Sequence, residues 1–329
     1  MDVRLSADQR ALRDTATDLV DALRPRSVGD LADIARTQRL EAAVVSAGWR
    51  SLREADEAGA PYASAVEAAL VAEELGRGLA DVAFVGPTLA AELRRLAGAG
   101  SADRAETVAL RPDLGDIALA GRRATAIDAA GAGAALLLAA GELVAVDLAG
   151  FAEPVDLTRP QVEVPSAATA APLGASLGTD ALTGWTALGL ALTCADLVGV
   201  MRGTIALATD YAKVREQYGA PIGSYQAVQH LLADALVAME GSRSAALHAA
   251  WAVDALAADD ALAAAAAAKA YCARAARDVC ETGIQVHGGI GNTWECLAHV
   301  YLRRALVSID LLGGVGPNLE RVLVGHGLR

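Results

Sequence analysis

Aromatic side chains are scarce in this chain: two Phe, four Trp and six Tyr make up 4% of its 329 residues. Its core must therefore be filled by aliphatic groups, because few rings are present to supply large buried area. Basic residues are also short, 28 Lys and Arg against 40 Asp and Glu, for a net charge of −12. That balance argues against a nucleic acid or an anionic membrane as partner, since both require clustered cations. The most apolar stretch, Ala129 to Gly141, is too short to cross a bilayer and is interrupted by Glu142, so no transmembrane helix is expected. Asp2, Arg4 and Asp8 stand where a secretory signal needs an apolar core, which points to a cytoplasmic protein. Cys194, Cys272, Cys280 and Cys296 lack the close paired spacing of a zinc site, so no metal is expected and the thiols are read as reduced.

What is abundant is alanine and aliphatic residues, which bring the hydrophobic share to 54% and favour closely packed helices. Ser6 followed by Gln9 is a capping box, and Leu12, Ala16, Leu19, Val20 and Leu23 recur at helical spacing until Pro25. Ala63 to Leu79 and Pro87 to Leu96 continue in the same way, giving a helical domain over residues 1–104. Between Thr107 and Pro172 short runs such as Leu143 to Leu148 alternate with Gly, Pro and Asp, as strands and turns do. This is read as a small β domain over residues 105–175, leaving by a loop marked by Pro154, Pro160, Pro165 and Pro172. From 176 to 329 helices return: Val228, Leu231, Leu232, Ala235, Leu236 and Met239 form one stripe, and the alanine run 261–268 leads into Lys269 to Val279. Four helices there would make a bundle, so the fold class is mainly α with a small β domain.

Two separated clusters look built for a phosphate-bearing ligand. Arg215 ends an apparent helix and is followed by Gln217, Tyr218 and the turn Gly219-Ala-Pro-Ile-Gly223. Its guanidinium offers a planar fork of donors suited to a pyrophosphate. Further on, Gln285, Val286, Gly288, Gly289 and Gly291 place a side-chain amide and bare backbone where a helix ends, so amides can approach a ligand directly. Either cluster alone reads as an ordinary helix terminus with a solvated arginine. His287, inside the second cluster, and His230 are read as packing or surface residues.

In this order, and between alanine-rich helices, the clusters resemble the C-terminal half of the acyl-CoA dehydrogenase family, whose wording is close to R-x-Q-F-G-x-P-I-x-x-F-Q and then Q-x-x-G-G-x-G. The matching positions are Arg215, Gln217, Tyr218, Gly219, Pro221, Ile222, Tyr225 and Gln226, then Gln285, Gly288, Gly289 and Gly291. Leu5 to Leu12 and Val71 to Arg77 also resemble the family's first helices. The resemblance implies an N-terminal helical domain, a β domain and a C-terminal four-helix bundle. It also implies FAD as cofactor and oxidation of an acyl-CoA thioester to its α,β-unsaturated product, with electrons passing to an electron-transfer flavoprotein or similar acceptor. In the family one subunit holds the flavin ring while its neighbour holds the adenine-diphosphate half through these clusters. The implied cofactor residues here are Arg215, Gln217, Tyr218, Tyr225, Gln226, Gln285, Val286, Gly288 and Gly289.

The chain departs from the family in two places. Its β unit is shortened: Leu110 to Asp116 is the only trace of the T-E-P-x-x-G-S-D loop, and the W-I-T-N loop is not recognisable. The position that carries the base in many members falls at Leu312, and a second location used by others falls near Gly189. Neither can take a proton. Asp196 and Glu240, in otherwise apolar helices, are the remaining candidates for a base and equally candidates for buried partners of arginines, with Asp310 close in sequence to the lost position. Two losses beside two retained clusters imply a subunit that lends the adenine-diphosphate half of an FAD site to a different partner chain. The closing Leu311 to Pro317 resembles subunits of α2β2 enzymes in actinobacterial steroid side-chain degradation, implying a bulky, steroid-type CoA thioester. Two other expectations remain open: a homo-oligomer using Asp196 or Glu240, and a noncatalytic scaffold.

Overall fold

The computed structural model describes residues 4–148, 150, 155–165 and 171–325. The chain opens with α1 (Ala7–Leu23), whose Ser6 hydroxyl accepts from Gln9 N while Gln9 Oε1 accepts from Ser6 N at 2.9 Å. Next come α2 (Ile34–Ser46), α3 (Ala65–Arg77) and α4 (Val85–Leu96). Five short strands follow: β1 (Glu106–Leu110), β2 (Ala124–Ala126), β3 (Ala134–Ala139), β4 (Glu142–Asp147) and β5 (Val162–Val164). They form one mixed sheet in the order β4-β3-β1-β2-β5, parallel only between β1 and β3. Of the four prolines expected in the exit loop, Pro154 lies outside the described residues.

The C-terminal region is built on three long helices, α5 (Thr179–Val214), α6 (Gln226–Ala255) and α7 (Ala258–His287), joined by α8 (Ala298–Asp310). A last helix, α9 (Val315–Gly325), packs on α7. A two-stranded hairpin, β6 (Glu216–Gln217) and β7 (Ala220–Pro221), links α5 to α6. The fold is mainly α-helical, with a small mixed sheet and a C-terminal bundle.

α5 rather than Ala129 to Gly141 proves the most apolar long segment. It is long and apolar enough to cross a membrane, yet 78% of its most apolar window is buried inside the protein. Its partners are α3, α6, α7 and α8, which makes it the axis of the core. Close approach to α3 requires glycine: a Cβ at Gly199 would sit 1.9 Å from the Glu73 carbonyl oxygen. Alanines 261, 265, 266 and 268 do the same for α7, so small residues bring helices together where large aromatics are few.

Candidate functional site

The two sequence clusters meet because a small apolar nucleus ties the helix ends together. Ala208 and Ala212 of α5 and Val286 of α7 pack with Ile222, Val228 and Leu232 from the hairpin exit and α6. α5 stops at Arg215 because the chain reverses at Tyr218 and Gly219, whose φ values of 52° and 78° make the left-handed pair of a tight hairpin. Ile222 N donates to Arg215 O at 2.7 Å, and Tyr225 Oη donates to Gln217 O at 2.8 Å, bracing the turn. At the end of α7, Gly288 adopts φ 65° and ψ −144°, which a side chain would resist, while a Cβ at Gly291 would lie 2.9 Å from the Ile284 carbonyl oxygen.

The result is a groove of about 340 Å³ whose walls include Gln217, Tyr218, Tyr225, Gln285 and Val286 over a floor of Ile222, Val228 and Leu231. Arg215 and Gln226, the residues before and after the hairpin, are exposed, as are Gly288 and Gly289 at the end of α7. The Arg215 guanidinium has no hydrogen bond or ion pair among the described residues. Tyr218 is 97% exposed. An unpaired guanidinium, two side-chain amides, bare backbone and a standing ring are the donor set that an adenine-diphosphate group needs, so this half of an FAD molecule fits the residues present. His287 lies under the groove, its Nδ1 2.7 Å from Gly283 O and its ring stacked on Tyr211 at 4.6 Å. It is a packing residue between α5 and α7.

The positions at which the resemblance would put a base lie elsewhere in the core. Leu312 is 1% exposed, and a Cβ on Gly189 would come 2.2 Å from Leu312 Cδ1 and 3.5 Å from Leu89 Cδ1. The two positions at which the resemblance places a base therefore converge on one point, filled here by hydrocarbon. Trp185, fully buried beside them, donates from Nε1 to Leu89 O at 3.0 Å. The loop Leu110 to Asp116 closes the top, with Leu312 N donating to Leu114 O at 2.7 Å and Arg321 donating to Gly115 O at 3.3 Å. From below, Lys269 Nζ donates to Ser308 O at 2.5 Å, Leu311 O at 2.8 Å and Thr193 Oγ1 at 3.2 Å, capping the C-terminal end of α8.

The candidate carboxylates sit in different surroundings. Asp196 is 1% exposed but its oxygens are fully engaged: Arg304 Nη2 lies at 2.7 Å, Ser308 Oγ at 2.6 Å and Arg159 Nη1 at 3.2 Å. Burial alone would raise its pKa, but the charges of Arg159 and Arg304 outweigh that and hold it below the usual carboxylate range. Asp196 is thus the shared anion of a buried network that also holds Asp156 and Thr158, in the place of a buried partner of arginines. Glu240 stands on the exposed face of α6 instead of in the apolar surroundings a base would need. Asp310 is exposed at the end of α8.

A buried pairing of Asp196 with arginines is legible in the sequence, but not which arginines, since Asp196 and Arg304 are 108 residues apart. The one signal was the presence of a charge inside an otherwise apolar helix. A second buried carboxyl, Asp128, caps α4 by accepting from Phe84 N at 2.7 Å and Gly86 N at 3.2 Å.

Residues 180–314 match the acyl-CoA dehydrogenase C-terminal domain. Acyl-CoA dehydrogenase IpdE2 of Mycolicibacterium smegmatis is 30% identical over 327 residues, 97% of this chain and 98% of that protein. Acyl-CoA dehydrogenase FadE34 of Mycobacterium tuberculosis is 46% identical over 135 residues, 41% of this chain but only 19% of FadE34. Among solved structures, a chain of the ChsE4-ChsE5 complex from Mycobacterium tuberculosis superposes with a TM-score of 0.81 at 25% identity, covering 99% of each. The chain belongs to the acyl-CoA dehydrogenase family. Within it, the similarity to IpdE2 runs the whole length, whereas that to FadE34 is confined to a fifth of the larger protein.

Proposed function

We propose that this chain is the nucleotide-gripping subunit of a heteromeric, FAD-dependent acyl-CoA dehydrogenase, whose catalytic base and flavin pocket belong to a partner chain of the same family. One observation carries this reading. The groove between Gln217 and Gln285, with unpaired Arg215 beside it, is open, while the meeting point of Gly189 and Leu312 is sealed with hydrocarbon. A chain that both gripped the cofactor and reacted with substrate would need the second place open as well.

FAD, when bound, accepts the hydride removed from the β-carbon of the acyl group. In this chain Arg215 would hold the pyrophosphate, the amides of Gln217 and Gln285 would orient it, and Gly288 and Gly289 would let the backbone approach. The partner supplies the carboxylate that removes the α-proton. The likeness to a chain of the ChsE4-ChsE5 complex supports a two-component enzyme, and the full-length similarity to IpdE2 supports acyl-CoA dehydrogenase chemistry. The closing sequence Leu311 to Pro317 supports a bulky, steroid-type CoA thioester as substrate, and an electron-transfer flavoprotein is the acceptor that the chemistry calls for. A scaffold without cofactor would gain nothing from keeping Arg215 unpaired.

The test is expression of this chain alone and together with each acyl-CoA dehydrogenase-like chain of its genome, followed by flavin absorbance and acyl-CoA oxidation. The chain alone should be colourless and inactive, and one pair should be yellow and active. A yellow, active single chain would remove the heteromer from consideration.

A further inference from the structure

Of the four tryptophans, Trp49 and Trp185 are sealed in the core at 2% and 0% exposure, whereas Trp294 is 64% exposed. Its ring is nevertheless held in place. His299 meets it edge-on with centroids 5.0 Å apart, and the Arg303 guanidinium carbon lies 5.6 Å from the ring centroid. Arg303 also donates to Val155 O at 3.4 Å, which ties the segment between β4 and β5 to α8. Ile290, Val155 and Leu306 are exposed in the segments on either side and add apolar surface.

A surface tryptophan ordered before binding loses little side-chain freedom when covered, and Trp with a neighbouring Arg is the composition that most often anchors a protein interface. The position selects the occupant. Trp294 stands two residues beyond the Gly288–Asn292 turn, so a chain that closes over Arg215 and Gln285 continues across this rim. A second copy of this chain would bring another open groove and another sealed base position, and could not complete the site.

We infer that Trp294, braced by His299 and Arg303, is the anchor on which the partner acyl-CoA dehydrogenase-like subunit docks. This rests on the heteromeric reading above and adds the surface through which it is realised. The complex buries the indole and leaves Arg303 at the rim, where a partner carboxylate meets it.

The experiment titrates the purified partner into this chain and follows iodide quenching of tryptophan fluorescence, with Trp294→Phe identifying the Trp294 contribution. Affinity is then measured for Trp294→Ala and for the conservative Trp294→Phe. The partner should shield Trp294 from iodide, and Trp294→Ala should weaken the complex by roughly 30-fold or more, the loss expected of an anchor side chain. Equal quenching of Trp294 in the complex, or wild-type affinity for Trp294→Ala, would overturn the anchor while leaving the heteromer standing. Shielding of Trp294 by self-association alone would assign the surface to a second copy and overturn the inference. Failure of the wild-type chain to bind any such partner would remove both the heteromer and the anchor.

Discussion

Leu312 rests against Gly189 with no space for a methyl group between them: a Cβ built on Gly189 falls 2.2 Å from Leu312 Cδ1. This contact turns two would-be base positions into part of the core. It also makes the two residues energetically dependent on each other. Gly189→Ala should destabilise the chain by about 1–2 kcal/mol through overpacking, although alanine is the better helix former. In a Leu312→Ala background the same substitution should become stabilising by about 0.5–1 kcal/mol. Denaturant unfolding of the four variants gives the coupling, and simple additivity would show that the contact is not tight.

Arg215→Ala should leave the melting temperature of the isolated chain unchanged, because the guanidinium has no partner to lose. In the assembled enzyme it removes a charged hydrogen bond of about 1.5–3 kcal/mol, so FAD affinity should fall about 10- to 150-fold. Flavin released on dilution, measured by fluorescence, is the readout.

For Asp196 the expectation is structural. Asp196→Asn strips the compensating charge from two buried arginines and should cost about 3–5 kcal/mol. Because the folded carboxyl is held below its ordinary value, its stabilising contribution is complete above the unfolded-state value of 3.8 and is lost as pH falls through the lower folded value. The difference in stability between the wild-type chain and Asp196→Asn should therefore shrink only at strongly acidic pH. A folded Asp196→Asn chain that had lost only activity would reopen the case for a base.

Lys269 gives the opposite signature. Burial lowers its pKa from 10.5 to about 8, despite opposing contributions from Cys194, Cys272 and Asp310. Between those values the unfolded chain binds more protons than the folded one, so this group makes stability rise with pH, by at most about 1.4 kcal/mol per unit. Comparing wild type with Lys269→Met in urea at pH 7.5 and 9 isolates the slope, which should be absent in the variant.

The four thiols should differ in reactivity. Burial raises Cys194 well above the ordinary range and Cys280 to about 12. Cys296 also suffers burial, but the hydrogen bond from His287 and the Ala298 amide at 3.5 Å reverse the effect and lower it. Iodoacetamide at pH 8 should label Cys296 first, and His287→Phe should slow that labelling at least several-fold, as peptide mass spectrometry would register.

The parts of this molecule that could be read from sequence are those where chemistry restricts the residue. Gly288 and Gly291 stand where a side chain is strained or excluded, Arg215 ends a helix beside a left-handed turn, and Ser6 with Gln9 announces α1. What escaped depends on distant partners. β2 and β5 have three residues each and exist only by pairing with each other and with β1, and α2 went unnoticed because its apolar face is completed by other elements. The Arg159, Asp196 and Arg304 network joins α5, α8 and the segment between β4 and β5, and no local pattern announces which arginines meet the aspartate. Nor does sequence reveal that Trp294 stands outside while Trp185 does not.

The guanidinium at Arg215 faces outward with nothing to balance it. If it waits for a ligand whose other end another protein must carry, then pigment in a cell extract counts finished assemblies rather than molecules of this polypeptide. Surplus copies would stay colourless however much riboflavin the cell is fed.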